Sequence, residues 1–496
     1  MKYKSKIFSN SIYLLADYGS VTILSFLFWF ILGRLLTPAE TGIVFTSWGI
    51  SSIISGISCF GIGSALSKLI SEKRDSAQIK NLIQISFKYI IISNIIVCVG
   101  FILLHQYISS IFKFSFTVVL LTAINIFVIS VASISGSVVS GLQKMRKIFV
   151  TDVCGYLFKL ISATLLIFLG LSYSAPLLSL LGAFFLIFLL RVELSWFSFK
   201  VDNALREILF KFASPTFISS LASIVFLNIQ YIILTIVKNT EATGLFGYAL
   251  LFTSPLDLIP ITFSSALFPI ISHLSSGKEK KMQGYLLNLV LRYSLLIVLP
   301  VSVFLIFFSR QVLFYLFPKY LSATSLFPLL IPGAIIFGIA NIFISVIYAA
   351  KKPEVTRNIM IFVVVLLLIL SIPMTQMFSS IGLASAYLIS NFFMLALSYF
   401  YIKKFIKFTI NWFSFLKLFI STVFFFGFLI ISDFIPTSLL FKILAITIGF
   451  ISYLLILFFM KFYIKEDFDT IKAMIRRLPI MRKQIFDFVK FLENHL

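Results

Sequence analysis

Charge is scarce in this chain. Only 12% of its 496 residues are Asp, Glu, Lys or Arg, against 60% hydrophobic residues and a mean hydropathy of +1.08. A soluble protein of this length needs a charged surface over two or three cores, so the shortage excludes that class. Metal-ligating residues are equally sparse. Cys59, Cys98 and Cys154 fall inside apolar runs with no C-x-x-C, and His105, His273 and His495 form no H-E-x-x-H, which leaves no disulfide framework and no zinc centre. There is no G-x-x-x-x-G-K-[ST] to cradle a nucleotide. A membrane glycosyltransferase or polymerase would need catalytic carboxylates in large outer loops, and the loops on that side are short and almost free of them. Asp467-Phe468-Asp469 has no catalytic domain around it and reads as tail solvation. The expectation is a protein that is not an enzyme and takes no metal or other cofactor.

What the chain has in abundance is apolar runs. At about 20 residues per bilayer crossing they make about fourteen transmembrane helices. The runs lie near 11–36, 42–66, 82–104, 115–141, 147–170, 174–198, 209–237, 242–272, 283–308, 322–349, 355–376, 380–402, 411–432 and 438–460. Basic residues alternate with them. Lys68, Lys73, Arg74 and Lys80 fill the second loop, Lys144, Arg146 and Lys147 the fourth, and Lys200, Arg206 and Lys211 the sixth. Lys278, Lys280 and Lys281, then Lys351, Lys352 and Arg357, then Lys403, Lys404 and Lys407 fill the next three even loops. The odd loops hold only Arg34, Lys113, Lys238, Arg310, Lys319 and Lys442. The net charge of +23 therefore encodes topology and not nucleic-acid binding, and the positive-inside rule puts both termini on the cytoplasmic side of a plasma membrane. The first run lacks an A-x-A cleavage site after Lys2, Lys4 and Lys6, so it reads as a retained helix.

A repeat organises the chain. Gly33 to Ser71 returns in weakened form from Asn239 to Ser272: Thr41-Gly42 answers Thr243-Gly244, and Ser64-Ala65-Leu66 answers Ser265-Ala266-Leu267. In each copy a short polar turn, Thr37-Pro38-Ala39-Glu40 or Asn239-Thr240-Glu241, separates two apolar spans. The repeat divides the chain into two six-helix lobes, 1–205 and 206–408, a further helix pair at 409–461, and a tail at 462–496. Each half has an even number of spans, so the copies are parallel repeats about an axis along the membrane normal. In the tail Ile464, Phe468, Ile471, Ile475 and Leu478 recur at helical spacing among basic residues, as in a helix lying on the anionic inner leaflet.

The stretch Gly33-Arg34-Leu35-Leu36-Thr37-Pro38-Ala39-Glu40-Thr41-Gly42, the eighth-span ending Ser265-Ala266-Leu267-Phe268-Pro269-Ile270-Ile271-Ser272 and the tenth-span exit Ala349-Ala350-Lys351-Lys352-Pro353 carry a family resemblance. With the helix count and the repeat, the chain resembles the polysaccharide-export branch of the multidrug/oligosaccharidyl-lipid/polysaccharide exporter superfamily, of the O-antigen flippase type. That resemblance implies an all-α polytopic bundle of two lobes around a central cavity. It implies transport of a polyprenyl-linked oligosaccharide from the cytoplasmic to the outer leaflet, in contact with membrane lipids and with the glycosyltransferases or polymerase of the same pathway as potential partners. The alternative within the superfamily is a cation-coupled multidrug exporter.

Polar residues inside the spans mark the candidate cavity. A charge at mid-helix costs on the order of 2.5–3.5 kcal/mol on insertion scales, so it asks for a partner or a function. Lys159 lies midway along the fifth span, with Asp152, Gly155 and Ser162 on the same face by helical spacing. Asn10, Tyr13, Asp17 and Ser20 stripe the first span; Ser254, Asp257 and Ser264 the eighth; Ser223 and Gln230 the seventh; Gly338, Asn341, Ser345 and Tyr348 the tenth. Lys88 and Arg292 are close enough to cytoplasmic ends to snorkel. Pro255 and Pro260 around Asp257 are expected to interrupt the eighth helix. The substrate-binding candidates are Lys159, Asp17, Asp257, Gln230, Asn341 and Arg34. Lys159 either meets a substrate phosphate or pairs with Asp17 or Asp257.

Overall fold

The structure is a computed structural model that describes residues 2–72, 75–193, 196, 203–274, 280–406, 408–433 and 439–463. The tail helix expected from Ile464 onward lies outside the described residues, as do the loop residues Lys73, Arg74, Lys200, Lys278 and Lys407. Regular structure is helical throughout the described residues: α1 (Lys2–Leu35), α2 (Pro38–Ser58), α3 (Ile62–Glu72), α4 (Ser76–Leu103), α5 (His105–Phe112), α6 (Phe116–Gly141), α7 (Met145–Phe168), α8 (Ser174–Arg191), α9 (Asn203–Val237), α10 (Thr240–Leu274), α11 (Lys280–Leu316), α12 (Phe327–Ala349), α13 (Pro353–Phe405), α14 (Trp412–Asp433) and α15 (Leu439–Phe459), with a 3-10 segment at Pro318–Leu326. Twelve of the helical stretches are long and apolar enough to cross a membrane, and a shorter apolar stretch runs over Ile446–Phe459. The protein is an all-α polytopic membrane protein.

One of the twelve, α13, has 53 residues, far more than a bilayer needs. It breaks at Ser379, whose backbone sits at φ 54, ψ −137. On a straight helix Phe362 and Phe393 would stand about 46 Å apart at about 1.5 Å per residue. Their rings lie 6.4 Å apart, so the chain turns back at the break. Gly382 permits the turn: a Cβ there would overlap the carbonyl oxygen of Met374. The break coincides with the loop expected between residues 376 and 380.

One expectation about local structure needs correction. Pro255 and Pro260 do not interrupt α10, which is helical from Thr240 to Leu274. A proline removes one backbone donor without ending a helix whose flanks are held by packing. The tenth span, expected near 322–349, falls within the apolar stretch Pro318–Ala349, whose first part, Pro318–Leu326, is the tighter 3-10 segment before α12 starts at Phe327.

By Cα proximity the chain forms two compact units. The first comprises Met1–Ser254, Gln311–Ile336 and Lys352–Leu397; the second comprises Pro255–Arg310, Phe337–Lys351 and Ser398–Leu496. In the first, α7 packs on α1 and α8, α6 on α8, α4 and α2, and α9 on α2 and α3. Its core around α3, α4 and α6 includes Leu66, Leu82, Ile85, Phe87 and Ile134, capped by Trp196. In the second, α14 packs on α15, and Tyr453 of α15 donates to the Leu296 carbonyl of α11 at 3.1 Å.

Candidate functional site

The first unit carries its charges on α1, α7 and α8. Contacts between α1 and α7 advance together along both helices: Tyr13 faces Phe149 with ring centroids 6.2 Å apart, Phe28 meets Lys159, and Phe28, Leu32 and Leu36 cluster with Ala163. The two helices are therefore parallel, as two odd-numbered spans must be. Contacts between α7 and α8 run the other way, Gly182 packing near Phe158 and Ile187 near Gly155. Antiparallel packing brings the end of α8 to the start of α7.

That geometry creates an ion pair not foreseen from sequence. Arg191 donates from Nη2 to Asp152 Oδ1 at 2.6 Å and from Nε to Thr151 Oγ1 at 2.9 Å, with side-chain exposures of 6% for Arg191 and 17% for Asp152. Lys147 Nζ donates to the Arg191 carbonyl at 3.0 Å and closes the even-loop end. Arg191 sits at the end of an apolar run, where a basic residue reads as a topology marker. The signal that could have found it was its place inside the span proposed at 174–198, with Asp152 at the matching depth of the adjacent antiparallel span.

Asp17 of α1 lies close enough to Asp152 and Arg191 to feel their charges. Its Oδ1 is buried with no hydrogen-bond partner among the described residues. Tyr156 of α7 senses the same three groups. One turn further along α7, Lys159 is 6% exposed. Its Nζ stands 4.4 Å from the centroid of Phe28 and 4.2 Å from that of Tyr156. Among the described residues it makes no ion pair, with Asp17 or any other carboxylate. Among the described residues the polar face of α7 thus looks into protein, with Asp152 neutralised by Arg191 and Lys159 held only on aromatic faces.

The other candidates are placed elsewhere. Gln230 of α9 is 2% exposed; its Nε2 donates to the Phe226 carbonyl at 3.1 Å and its Oε1 has no partner among the described residues. Asp257 and Asn341 belong to the second unit, where Asp257 Oδ1 is buried without a partner and Asn341 Nδ2 donates to the Phe337 carbonyl at 2.9 Å. Arg34 is exposed and donates to the Tyr315 carbonyl at 2.7 Å.

Arg34 is one of several odd-loop residues gathered at one end of the first unit. Thr37 and Glu40 form a capping box that starts α2, with Pro38 at the first helical position. Glu40 also accepts from the Ser172 hydroxyl. Lys319 donates to the Leu35 carbonyl at 3.2 Å, and Tyr320 shares a hydrogen bond of 3.0 Å with Thr41.

Here the repeat becomes geometry. At an offset of 202 residues (Gly42 to Gly244), contacts come in reciprocal pairs. A side chain on Gly42 would overlap the carbonyl oxygen of Thr240, and one on Gly244 would overlap that of Pro38, the residue 202 before Thr240. Gly33 admits the ring of Tyr248, while their counterparts Thr235 and Thr46 share a hydrogen bond of 2.6 Å. Phe45 stacks between Trp29 at 4.1 Å and its counterpart Tyr231 at 5.1 Å. Its own counterpart, Gly247, leaves room for that ring. Such reciprocity is the mark of a local pseudo-twofold axis.

A family profile described as polysaccharide biosynthesis protein matches residues 7–275, more than half of the chain. A stretch of 152 residues is 27% identical to an uncharacterized membrane protein of Methanocaldococcus jannaschii, a match spanning 30% of each chain. A longer match, 24% identical over 387 residues and covering 75% of this chain and 78% of the other, is to a probable low-salt glycan biosynthesis flippase, Agl15, of Haloferax volcanii. Among solved structures the fold is that of the lipid II flippase MurJ in an inward closed conformation, with a TM-score of 0.74, 19% identity and coverage of 90% of this chain and 97% of the other. An inward-facing multidrug resistance MATE transporter follows at a TM-score of 0.64 and 14% identity, covering 80% and 95%.

Proposed function

Because the chain belongs to the polysaccharide biosynthesis protein family, we propose that it is a flippase, a transporter and not an enzyme, that carries a polyprenyl phosphate- or pyrophosphate-linked oligosaccharide from the cytoplasmic to the outer leaflet. The observation that carries the chemistry is Lys159: a buried lysine, free of carboxylates among the described residues and held on two aromatic rings. Cation–π contacts hold an ammonium by only about 0.5–2 kcal/mol each, so a phosphate entering this face displaces little and gains a compact positive charge. Arg191 holds Asp152, which keeps that carboxylate from competing for the lysine. The headgroup is bound at the Lys159 face with the lipid tail left in the bilayer, and access alternates between the two leaflets. Asp17, Asp257, Gln230, Asn341 and Arg34 are the further substrate-binding candidates.

The test is transport of a fluorescent polyprenyl-pyrophosphate oligosaccharide in proteoliposomes. Lys159→Ala and Lys159→Gln lose transport at normal membrane abundance, Lys159→Arg keeps part of it, and Asp17→Asn or Asp257→Asn restores nothing. Rescue of Lys159→Gln by either Asn variant would make the lysine a counter-ion and remove the substrate role. The setting is the plasma membrane with both termini inside: tags after 76, 279 or 405 report the cytoplasm, and tags near 173 or 378 the exterior. Opposite reports from 76 and 279 would undo the parallel repeat. Glycosyltransferases and the polymerase of the pathway are the expected partners.

One observation favours the drug-exporter reading: the unpartnered oxygen of Asp17 beside a second carboxylate could hold a proton or a sodium ion. Drug efflux from proteoliposomes that move no lipid-linked sugar would select it.

A further inference from the structure

The second unit contains a cavity of about 510 Å³ where the first turns of α11 meet the linker into α14. Asn288 and Arg292 of α11 face Thr409, Asn411 and Ser414 across it. The site is built. Asn288 Nδ2 donates to the Thr409 carbonyl at 2.9 Å and fixes the linker to α11, while its Oδ1 is buried with no partner among the described residues. Asn411 Oδ1 accepts from Ser414 N at 3.3 Å and caps the 22-residue α14, whose positive dipole end opens at the cavity. The Arg292 guanidinium is set by Tyr293 at 5.2 Å and by Phe462, which returns from the end of α15, at 4.8 Å.

The lining defines the ligand. Arg292 is the charged side chain among the described lining residues, and none of them is a carboxylate. Arginine with the Asn411 amide and the Thr409 and Ser414 hydroxyls beside a helix N-terminus suits a phosphate group, which a guanidinium grips with two parallel hydrogen bonds, while the Asn288 amide is spent on the Gly284 and Thr409 carbonyls. The cavity lies beside two even loops, where Lys281, Lys403 and Lys404 place the basic membrane surface. From it an outward apolar strip runs along α14: Trp412 is 70% exposed, Phe413 77%, Leu416 54%, Phe419 64% and Val423 51%. A soluble anion would have no use for that strip; an acyl or prenyl chain would lie along it.

We propose that this cavity is a binding site for the phosphate headgroup of an anionic lipid of the cytoplasmic leaflet, with its chain along α14. Snorkelling alone would carry Arg292 toward water, whereas here two rings hold it at the cavity. The site stands independently of the flippase reading, since all its residues belong to the second unit and none is a transport candidate.

The experiment is native mass spectrometry and thermal unfolding of the full chain in detergent. The probes are dioleoyl phosphatidate, dioleoyl phosphatidylcholine and inorganic phosphate. Phosphatidate should bind and raise Tm by several degrees, while phosphatidylcholine and inorganic phosphate at equal concentration should not. Arg292→Gln should weaken phosphatidate at least tenfold, Arg292→Lys should retain part, and Lys403→Gln at the nearby surface should change little. Asn411→Ala, which leaves the arginine in place, should weaken it several-fold and keeps the test open if Arg292→Gln does not fold. Equal binding of phosphatidylcholine, or unchanged phosphatidate binding in Arg292→Gln and Asn411→Ala, overturns the site. Inorganic phosphate as effective as the lipid overturns the lipid assignment.

Discussion

At the odd-loop end of the first unit, contacts recur in pairs related by 202 residues: Gly42 on Thr240 with Gly244 on Pro38, Gly33 on Tyr248 with Thr235 on Thr46. In the cluster on α1, α7 and α8, Asp17, Lys159 and Arg191 have no charged counterparts at that offset, whereas Asp152 answers Glu354. Asp17 corresponds to Ser219 at the same offset, and the second copy's fifth span, 355–376, carries Arg357 as its charge with no lysine at mid-depth. The difference separates two kinds of constraint. Where two backbones touch, bulk on either copy separates them, so both copies must keep small residues. Where no backbone contact demands the same residue twice, the copies are free to differ, and the second copy of this span is apolar at mid-depth.

The largest effect should come from breaking the reciprocity. Gly42→Leu and Gly244→Leu each force a side chain into a carbonyl oxygen, which no rotamer relieves. Overpacking then costs beyond about 3 kcal/mol, a large part of a marginal stability. Membrane abundance and Tm in detergent should fall by similar amounts in the two variants. If one is tolerated and the other is not, the contact is not a pseudo-symmetric one.

The charge cluster should respond differently. Arg191→Met strands Asp152, whose side chain keeps 17% of its surface exposed, and should cost about 3 kcal/mol, the low end for a broken buried pair. Arg191→Met with Asp152→Leu should recover most of the Tm, because a well-packed apolar pair replaces the ion pair. Transport should not recover with it if the pair also orders Tyr156 and Lys159. Full recovery of transport would make the pair structural only.

Much of this architecture could be read from residues. The paired Thr-Gly dipeptides, the alternation of basic loops, the turn at 376–380 and the inward face of Lys159 all follow from spacing and composition. Other features could not be. Arg191 sits where a basic residue marks topology, and only the antiparallel packing of α7 on α8 distinguishes a buried partner from a flanking charge. The rings of Phe28 and Tyr156 that hold Lys159 are lost in a chain with 60 Phe and 19 Tyr. Whether a proline ends a membrane helix depends on its neighbours, as Pro255 and Pro260 within α10 illustrate. The ring of Phe462 that Arg292 meets returns from the end of α15, a contact 170 residues distant in sequence (462 against 292).

The smallest effect sharpens the comparison at a single hydrogen bond. Thr46 Oγ1 and Thr235 Oγ1 lie 2.6 Å apart, and Thr235 is also 2.7 Å from Thr243 Oγ1, while Thr46 Oγ1 donates to the Gly42 carbonyl at 2.8 Å. Both hydroxyls therefore have a second partner, and removing one leaves the other satisfied. Thr46→Val should cost little, and the coupling between Thr46→Val and Thr235→Val in a double-mutant cycle should be about 0.6 kcal/mol, the average for interhelical hydrogen bonds in a membrane protein. Their counterparts Tyr248 and Gly33 meet through packing, so Tyr248→Leu with wild-type Gly33 should cost more than both threonine changes together, since it empties a fully buried ring site and also removes the hydrogen bond of 2.7 Å from the Tyr248 hydroxyl to the Trp29 carbonyl. A threonine coupling that exceeds the loss from Tyr248→Leu would mean that hydrogen bonding, and not close packing of the repeated helices, holds this end of the protein together.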